Sequence, residues 1–241
     1  MYSISDKLGL GIYSAAEAAL YARVSTRLMA RWVFGERDSK SVIKSELPET
    51  SERVVTFLDF VQVLAIREVR NRHRLSLQKI RQGIEEAKTR YGIEHPLAQQ
   101  HTIYLLSDGM GKGHGEMVIQ LPGRGAEGPD GLAQLTGRNK GNRVMEKVVE
   151  MFLADLHFEA GTGRASRYVP MTYKGAQVVL DPRRRFGEPI VEPGGYTAET
   201  LWDATNAEGG IDQAAEAYGV GVDEIMVANR YYDVITPNLA V

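Results

Sequence analysis

The 241-residue sequence has ordinary shares of apolar (43%) and charged (25%) residues, which excludes a chain too polar to build a core. It contains no cysteine, so disulfides, thiolate metal sites and a thiol nucleophile are excluded. No apolar run reaches the roughly 20 residues needed to span a bilayer, and no signal-peptide pattern opens the chain, so a cytoplasmic protein without membrane contact is expected. The formal net charge of −2 is unevenly spread. Residues 1–100 hold 16 Lys+Arg against 12 Asp+Glu, whereas residues 178–241 hold 4 against 11. A basic front and an acidic rear suggest nucleic acid as a partner for the first; for the second they suggest a non-nucleic partner or a merely solvated surface.

Residues 1–12 form a lead-in ending in the Gly9-Leu10-Gly11 loop. Between Tyr13 and Trp32 two short amphipathic helices are legible, divided by a turn at Tyr21-Ala22-Arg23-Val24. Ser25 is placed to cap the second helix. That helix offers Thr26, Arg27 and Arg31 outward and Leu28, Met29 and Trp32 for packing. A short helix, a tight turn and a capped helix with early arginines form a helix-turn-helix pattern, whose second helix enters the major groove with its N-terminal residues nearest the bases. Candidate DNA-binding residues are Ser14, Ser25, Thr26, Arg27 and Arg31.

Residues 33–52 are polar and broken by Gly35 and Pro48, and Val42-Ile43 with Val54-Val55 suit a two-stranded wing. Phe57 to Val69 has the spacing of a buried amphipathic helix. A capped helix follows Ser76 and ends at Gly92. The series Arg67, Arg70, Arg72, Arg74, Lys79 and Arg81 fits a phosphate-tracking patch, with Arg70, Arg72 and Arg74 its candidate contacts, or a solvated helix face whose stems cover the core.

In residues 96–177, residues 101–107 and 116–121 are strand-like around a glycine-rich stretch, 109–115. That stretch lacks the Gly-Lys-Ser/Thr lead into a helix, so a hairpin loop is expected there. Residues 122–141 are rich in Gly, Pro and Asn and predict a loop; 144–153 predict a helix; 156–159, 168–171 and 177–180 predict short strands. His101, His114 and His157 show no metal-ligand spacing. From Val178 a strand ends in Asp181-Pro182, an extended piece covers 186–191, and Thr197 caps a helix. Helices over 211–218 and 222–232 flank Gly219-Val220-Gly221, a second helix-turn-helix register. Its last helix begins with Asp223 and Glu224 and offers only Arg230 as a cation, so this unit is expected to meet protein rather than DNA.

Two resemblances carry these readings further. The residues Tyr13-Ser14, Ala19, Val24-Ser25-Thr26-Arg27 and Trp32, with the later Leu75-Ser76-Leu77-Gln78-Lys79-Ile80, resemble the winged-helix DNA-binding domain of MerR-type regulators. Arg23 stands where that family has its turn glycine, which predicts a remodelled turn, since a left-handed residue other than glycine costs about 1 kcal/mol or more. The pattern Val179, Asp181-Pro182, Phe186-Gly187, Pro189, Val191, Thr197, Leu201, Ala215, Tyr218 and Tyr231 resembles a small bacterial domain found in antitoxins paired with PIN-like ribonuclease toxins. Gly194-Gly195-Tyr196 replaces its usual Gly-Thr-Arg. Together they resemble VapB-type antitoxins.

The fold expected is α+β in three parts: a winged helix over 1–95, a middle α+β region over 96–177 and a small helix-turn-helix domain over 178–241. The resemblance implies neutralisation of a PIN-like toxin, with Arg183, Arg184 and Arg185 as candidate toxin contacts, and binding to double-stranded operator DNA as a homodimer or larger assembly. The alternative is a ligand-responsive transcription regulator without a toxin partner. No nucleophile-and-base pair or metal spacing emerges, so neither an enzyme nor a cofactor is expected.

Overall fold

The computed structural model describes residues 10–36, 40–47, 53–100, 103–107, 116–120, 132–134, 144–147 and 155–236. The fold is α+β. The chain divides into two compact units: Ser14–Ala165 is one, and Ser166–Val241 with the chain up to Tyr13 is the other.

Strand β1 (Ile12–Ser14) hands the chain to α1 (Ala15–Ala22), the first helix of the first unit. Ser14 Oγ accepts the Glu17 amide at 3.1 Å while the Glu17 carboxylate accepts the Ser14 amide at 2.7 Å, a reciprocal cap. The following turn is not remodelled. Arg23 takes the left-handed conformation itself (φ 54°), with its amide on the Leu20 carbonyl and that of Val24 on Ala19, both at 3.0 Å. Those two bonds satisfy carbonyls the helix end would otherwise leave open, which offsets the cost of a Cβ in that region. Ser25 Oγ then accepts the Leu28 amide at 3.2 Å and starts α2 (Thr26–Val33). Met29, Trp32 and Val33 of α2 are buried.

The expected wing is not formed by the two predicted runs. Val54–Thr56 is a strand (β2), but Val42 and Ile43 are not: both are buried, and both amides donate to the Trp32 carbonyl, at 2.7 and 3.2 Å. Packing under α2 outcompetes pairing, because these apolar side chains gain more by leaving water than a two-residue ladder returns. Thr56 caps α3 (Phe57–His73), whose first ten residues are all buried, making it the central helix of the unit. Ser76 Oγ accepts the Lys79 amide at 3.2 Å to begin α4 (Leu77–Tyr91), and Gly92 closes it at φ 67°.

Beyond α4, β3 (Ile103–Ser107), β4 (Glu116–Gln120), β5 (Leu132–Gln134) and β6 (Val144–Lys147) form an antiparallel sheet in the order β5-β4-β3-β6. Two expectations change here. Residues 144–147 are a strand, paired from Tyr104↔Lys147 to Ser107↔Val144, and not the start of a helix; 132–134 pair with β4 inside the predicted loop. Both are short segments whose backbone groups find a neighbouring strand, and such partners override local propensity. The glycine-rich stretch 109–115, His101, His114 and residues 148–153 lie outside the described residues. Strand β7 (Leu156–Phe158) follows.

The second unit carries the antiparallel strands β8 (Ala165–Tyr173), β9 (Ala176–Leu180) and β10 (Ile190–Glu192), the middle strand being β9. A single helical turn at Arg185–Gly187 interrupts the extended piece expected before β10. Three helices complete it: α5 (Ala198–Ala207), α6 (Ile211–Tyr218) and α7 (Val222–Ile235). Helix α7 is the core of this unit, with Ile225, Val227, Ala228, Tyr231, Tyr232 and Ile235 buried and Tyr232 stacked on Trp202 at 4.7 Å. The buried Glu224 carboxylate accepts the amides of Gly221 (2.9 Å) and Gly194 (2.6 Å). A Cβ on Gly194 would sit 2.5 Å from that carboxylate and displace it from the Gly194 amide.

A buried polar network fixes residues 40–47 on α3. Ser45 donates to Asp59 at 2.9 Å, Thr56 donates to Glu46 at 2.5 Å, and His95 lies 3.5 Å from both Glu46 and Gln62. Burial pushes the Asp59 carboxyl up to about 6 and holds His95 below the usual imidazole range. A raised folded pKa means that the native state holds the Asp59 proton more tightly than the unfolded chain. Ionisation therefore costs stability as pH rises from about 4 to 6, by about 2–3 kcal/mol in full. Asp59→Asn is expected to be more stable than wild type at pH 8, with the difference shrinking below pH 6 in urea titrations. Arg23→Gly is expected to gain about 1 kcal/mol, read as a higher urea midpoint with an unchanged slope.

Candidate functional site

The N-terminal end of α2 is the most accessible cationic feature built by the helix-turn-helix. Its inner face is committed to the core through Met29, Trp32 and Val33, which leaves Ser25, Thr26 and Arg27 exposed together. The Arg27 side chain is 84% exposed, and its one ion pair, to Glu36 at 3.5 Å, is too long and too wet to hold it. No acidic residue stands in the first turn of α2, so the positive end of the helix dipole is uncompensated. Arg23, which stands at a turn position and is not among the sequence-predicted contacts, is exposed two residues before the cap. Arg31 is half-buried, and its Nε is enclosed without a hydrogen-bond partner among the described residues. Ser14 lies at the other end of α1, engaged in its cap.

The arginine series beyond α2 separates into different roles. Arg67 donates to the Ala22 carbonyl at 2.7 Å and clasps the end of α1 to α3. Arg70 donates to the Leu75 carbonyl at 2.9 Å, closing the turn between α3 and α4. Arg81 reaches the Ser41 and Lys40 carbonyls at 2.8 and 2.7 Å and holds the segment that follows α2. Arg72 pairs with Glu68 one helical turn earlier. Arg74 ends α3 in the left-handed region (φ 52°), exposed. Arg70, Arg72 and Arg74 are thus near neighbours on one helix end, with Arg74 the least engaged of the three.

The second helix-turn-helix register has different chemistry. Its last helix turns Ile225, Val227, Ala228, Tyr231, Tyr232 and Ile235 into the core. Its first turn carries Asp223 and Glu224, and its one cation, Arg230, stacks on the Tyr173 ring at 4.1 Å. A cleft of about 390 Å³ opens beside it, lined by Trp202, Asn206, Ile211, Met226 and Arg230, with Thr205 and Asn229 hydrogen-bonded to each other at 2.9 Å.

Arg183, Arg184 and Arg185 stand together on the turn between β9 and β10. All three are exposed, and Arg184 is paired with Glu192, which also accepts from Arg167 at 2.7 Å. Arg185 and Phe186 both have left-handed backbone (φ 45° and 56°), each at a cost of about 1–2 kcal/mol for a residue with a Cβ. The sequence gives no sign of this, because nothing in residue type marks a strained non-glycine position. Where the resembled domain has arginine, Tyr196 instead packs edge-on against Tyr218 at 5.3 Å.

Among the described residues no group of three or more His, Asp or Glu side chains is placed to hold a metal ion, and no helix is long and apolar enough to cross a membrane. No known family profile matches this sequence. The chain is similar to a curated Mycobacterium tuberculosis protein named "Putative antitoxin VapB45", 28% identical over 227 residues, which span 89% of this chain and 90% of the relative. Its fold matches the crystal structure of Rv2018 from the same organism, with a TM-score of 0.60 and 22% identity over 90% of this chain and 96% of the other.

Proposed function

We propose that this protein is a VapB-type antitoxin of a toxin–antitoxin pair that also binds its own operator. The first unit lays α2 in the major groove of double-stranded DNA. Thr26, Arg27 and Arg31 face the bases; Ser14, Ser25 and the exposed end of α3 (Arg70, Arg72, Arg74) lie along the phosphates; two-fold pairing of chains matches a palindromic site. The second unit holds a PIN-like ribonuclease toxin through Arg183, Arg184 and Arg185, one of which would enter the toxin's acidic metal site. The protein acts in the cytoplasm and is not itself an enzyme.

The observation that carries the DNA reading is Arg27: a fully presented cation at an N-capped helix start whose opposite face is core. The antitoxin reading is supported by the name borne by the VapB45 relative over most of both chains. The acidic second unit, with Arg230 stacked on Tyr173, would be repelled by phosphate, which favours protein as its partner. The Trp202 cleft is the feature that favours the second reading, a ligand-responsive regulator; there a small molecule would shift operator binding and no co-encoded toxin would bind.

The test is a salt titration of binding to the DNA upstream of the gene. Arg27→Ala and Arg31→Ala are each expected to weaken binding, by about 1–3 kcal/mol where a base contact is lost, or with a shallower salt slope where a phosphate contact is lost. Arg230→Ala is expected to bind as wild type does. Wild-type affinity and salt slope in both first-unit variants would show that α2 is not the recognition helix.

A further inference from the structure

The turn between β9 and β10 sets an aromatic ring in solvent. Phe186 is 62% exposed, well above the other exposed large apolar residues described in this unit, Val222 at 41%, Val234 at 38% and Ile12 and Tyr196 at 36%. Its backbone is left-handed, as is that of Arg185 before it. A solvent-facing position with that geometry is met at least cost by glycine or asparagine, so local folding does not call for phenylalanine there.

The surrounding residues hold this arrangement rather than relax it. The Asp181 carboxylate accepts the Arg183 amide, and its carbonyl accepts that of Arg184, both at 2.9 Å. The amides of Gly187 and Glu188 return to the carbonyls of Arg184 and Arg185. Gly187 is buried, with its carbonyl accepting the Tyr13 hydroxyl at 2.9 Å, and a Cβ there would lie 2.2 Å from that oxygen. The base of the turn is therefore fixed, and its tip carries the exposed Arg183, Arg184 and Arg185 directly before the exposed Phe186. Strain preserved by so many constraints points to function. Charge narrows the partner: three of the four cations in residues 178–241 stand on this tip, against eleven carboxylates over the same stretch.

We propose that Phe186 is the anchor of a protein-docking site, seated in an apolar socket of the partner whose rim is acidic and meets Arg183 and Arg185. This rests on the antitoxin reading and deepens it: the partner is the toxin, and the ring rather than a guanidinium carries most of the affinity, as buried aromatic anchors do at protein interfaces.

The test titrates the full chain against the purified co-encoded toxin. Phe186→Ala is expected to weaken binding about 30-fold or more while its melting temperature stays level or rises. Phe186→Tyr is expected to stay within a few-fold of wild type, and Val234→Ala, an exposed apolar change elsewhere in the unit, to bind normally. Replacing Arg183 and Arg185 by alanine should flatten the salt dependence of association. Toxin bound by Phe186→Ala as tightly as by wild type would overturn the anchor and leave the antitoxin reading standing. Failure of the wild-type chain to bind the toxin would overturn both. Capture of wild type, but not Phe186→Ala, by phosphatidylserine vesicles would make the tip a membrane contact and overturn the protein socket.

Discussion

One guanidinium sets the geometry on which the DNA reading depends. Arg67 reaches from α3 to the Ala22 carbonyl at the last turn of α1, where the helix leaves its carbonyls open and its dipole is negative. That clasp holds the end of α1 on the central helix. From there the chain leaves through Arg23, and α2 starts at Ser25 with its cationic end outward. A neutral side chain at 67 would leave a part-buried carbonyl unanswered and the turn free to tilt. The direction of α2 thus depends on a residue more than forty positions away.

The same residue type serves opposite purposes along this chain. Arg67, Arg70 and Arg81 spend their donors on backbone carbonyls and tie helices and turns together; Arg27, with only a long pair to Glu36, and Arg74 are exposed to water. The difference lies in what is nearby: a carbonyl at a helix end attracts a guanidinium into a part-buried hydrogen bond that water competes for poorly. Charge counting alone would class all five as a phosphate-binding face. In the second unit the excess of carboxylates has a matching exception: Glu224 is buried as the acceptor for two turn amides, so part of the acidity is structural rather than exposed.

Much of the helical frame was legible because its signals are local. Ser25, Ser76 and Thr197 cap the helices expected of them, and Gly92 and Gly219 end theirs in the left-handed region, since a hydroxyl or a missing Cβ acts within three or four residues. Strands were harder. Residues 103–107 and 116–120 are short apolar runs and could be read as strands, but 132–134 and 144–147 are strands only because a neighbour accepts their backbone groups. Val42 and Ile43 failed in the other direction: an apolar pair that suits a ladder was drawn beneath Trp32 instead. Of the candidate site, Thr26 and Arg27 were readable from their place after the cap. Arg23 and Phe186 were not, because residue type predicts against a left-handed backbone at both.

The amino-acid sequence by itself determined where the capped helices begin, the division of charge between front and rear, and the absence of thiol chemistry, all of which follow from neighbours in the chain or from composition. The tertiary structure alone decided which arginines remain available, which short segments became strands, that α7 is the core helix of its unit, and that Phe186 stands in water on a strained turn. Each of these depends on groups distant in sequence meeting in space, where burial and carbonyl partners outweigh local preference by a kilocalorie or so per contact.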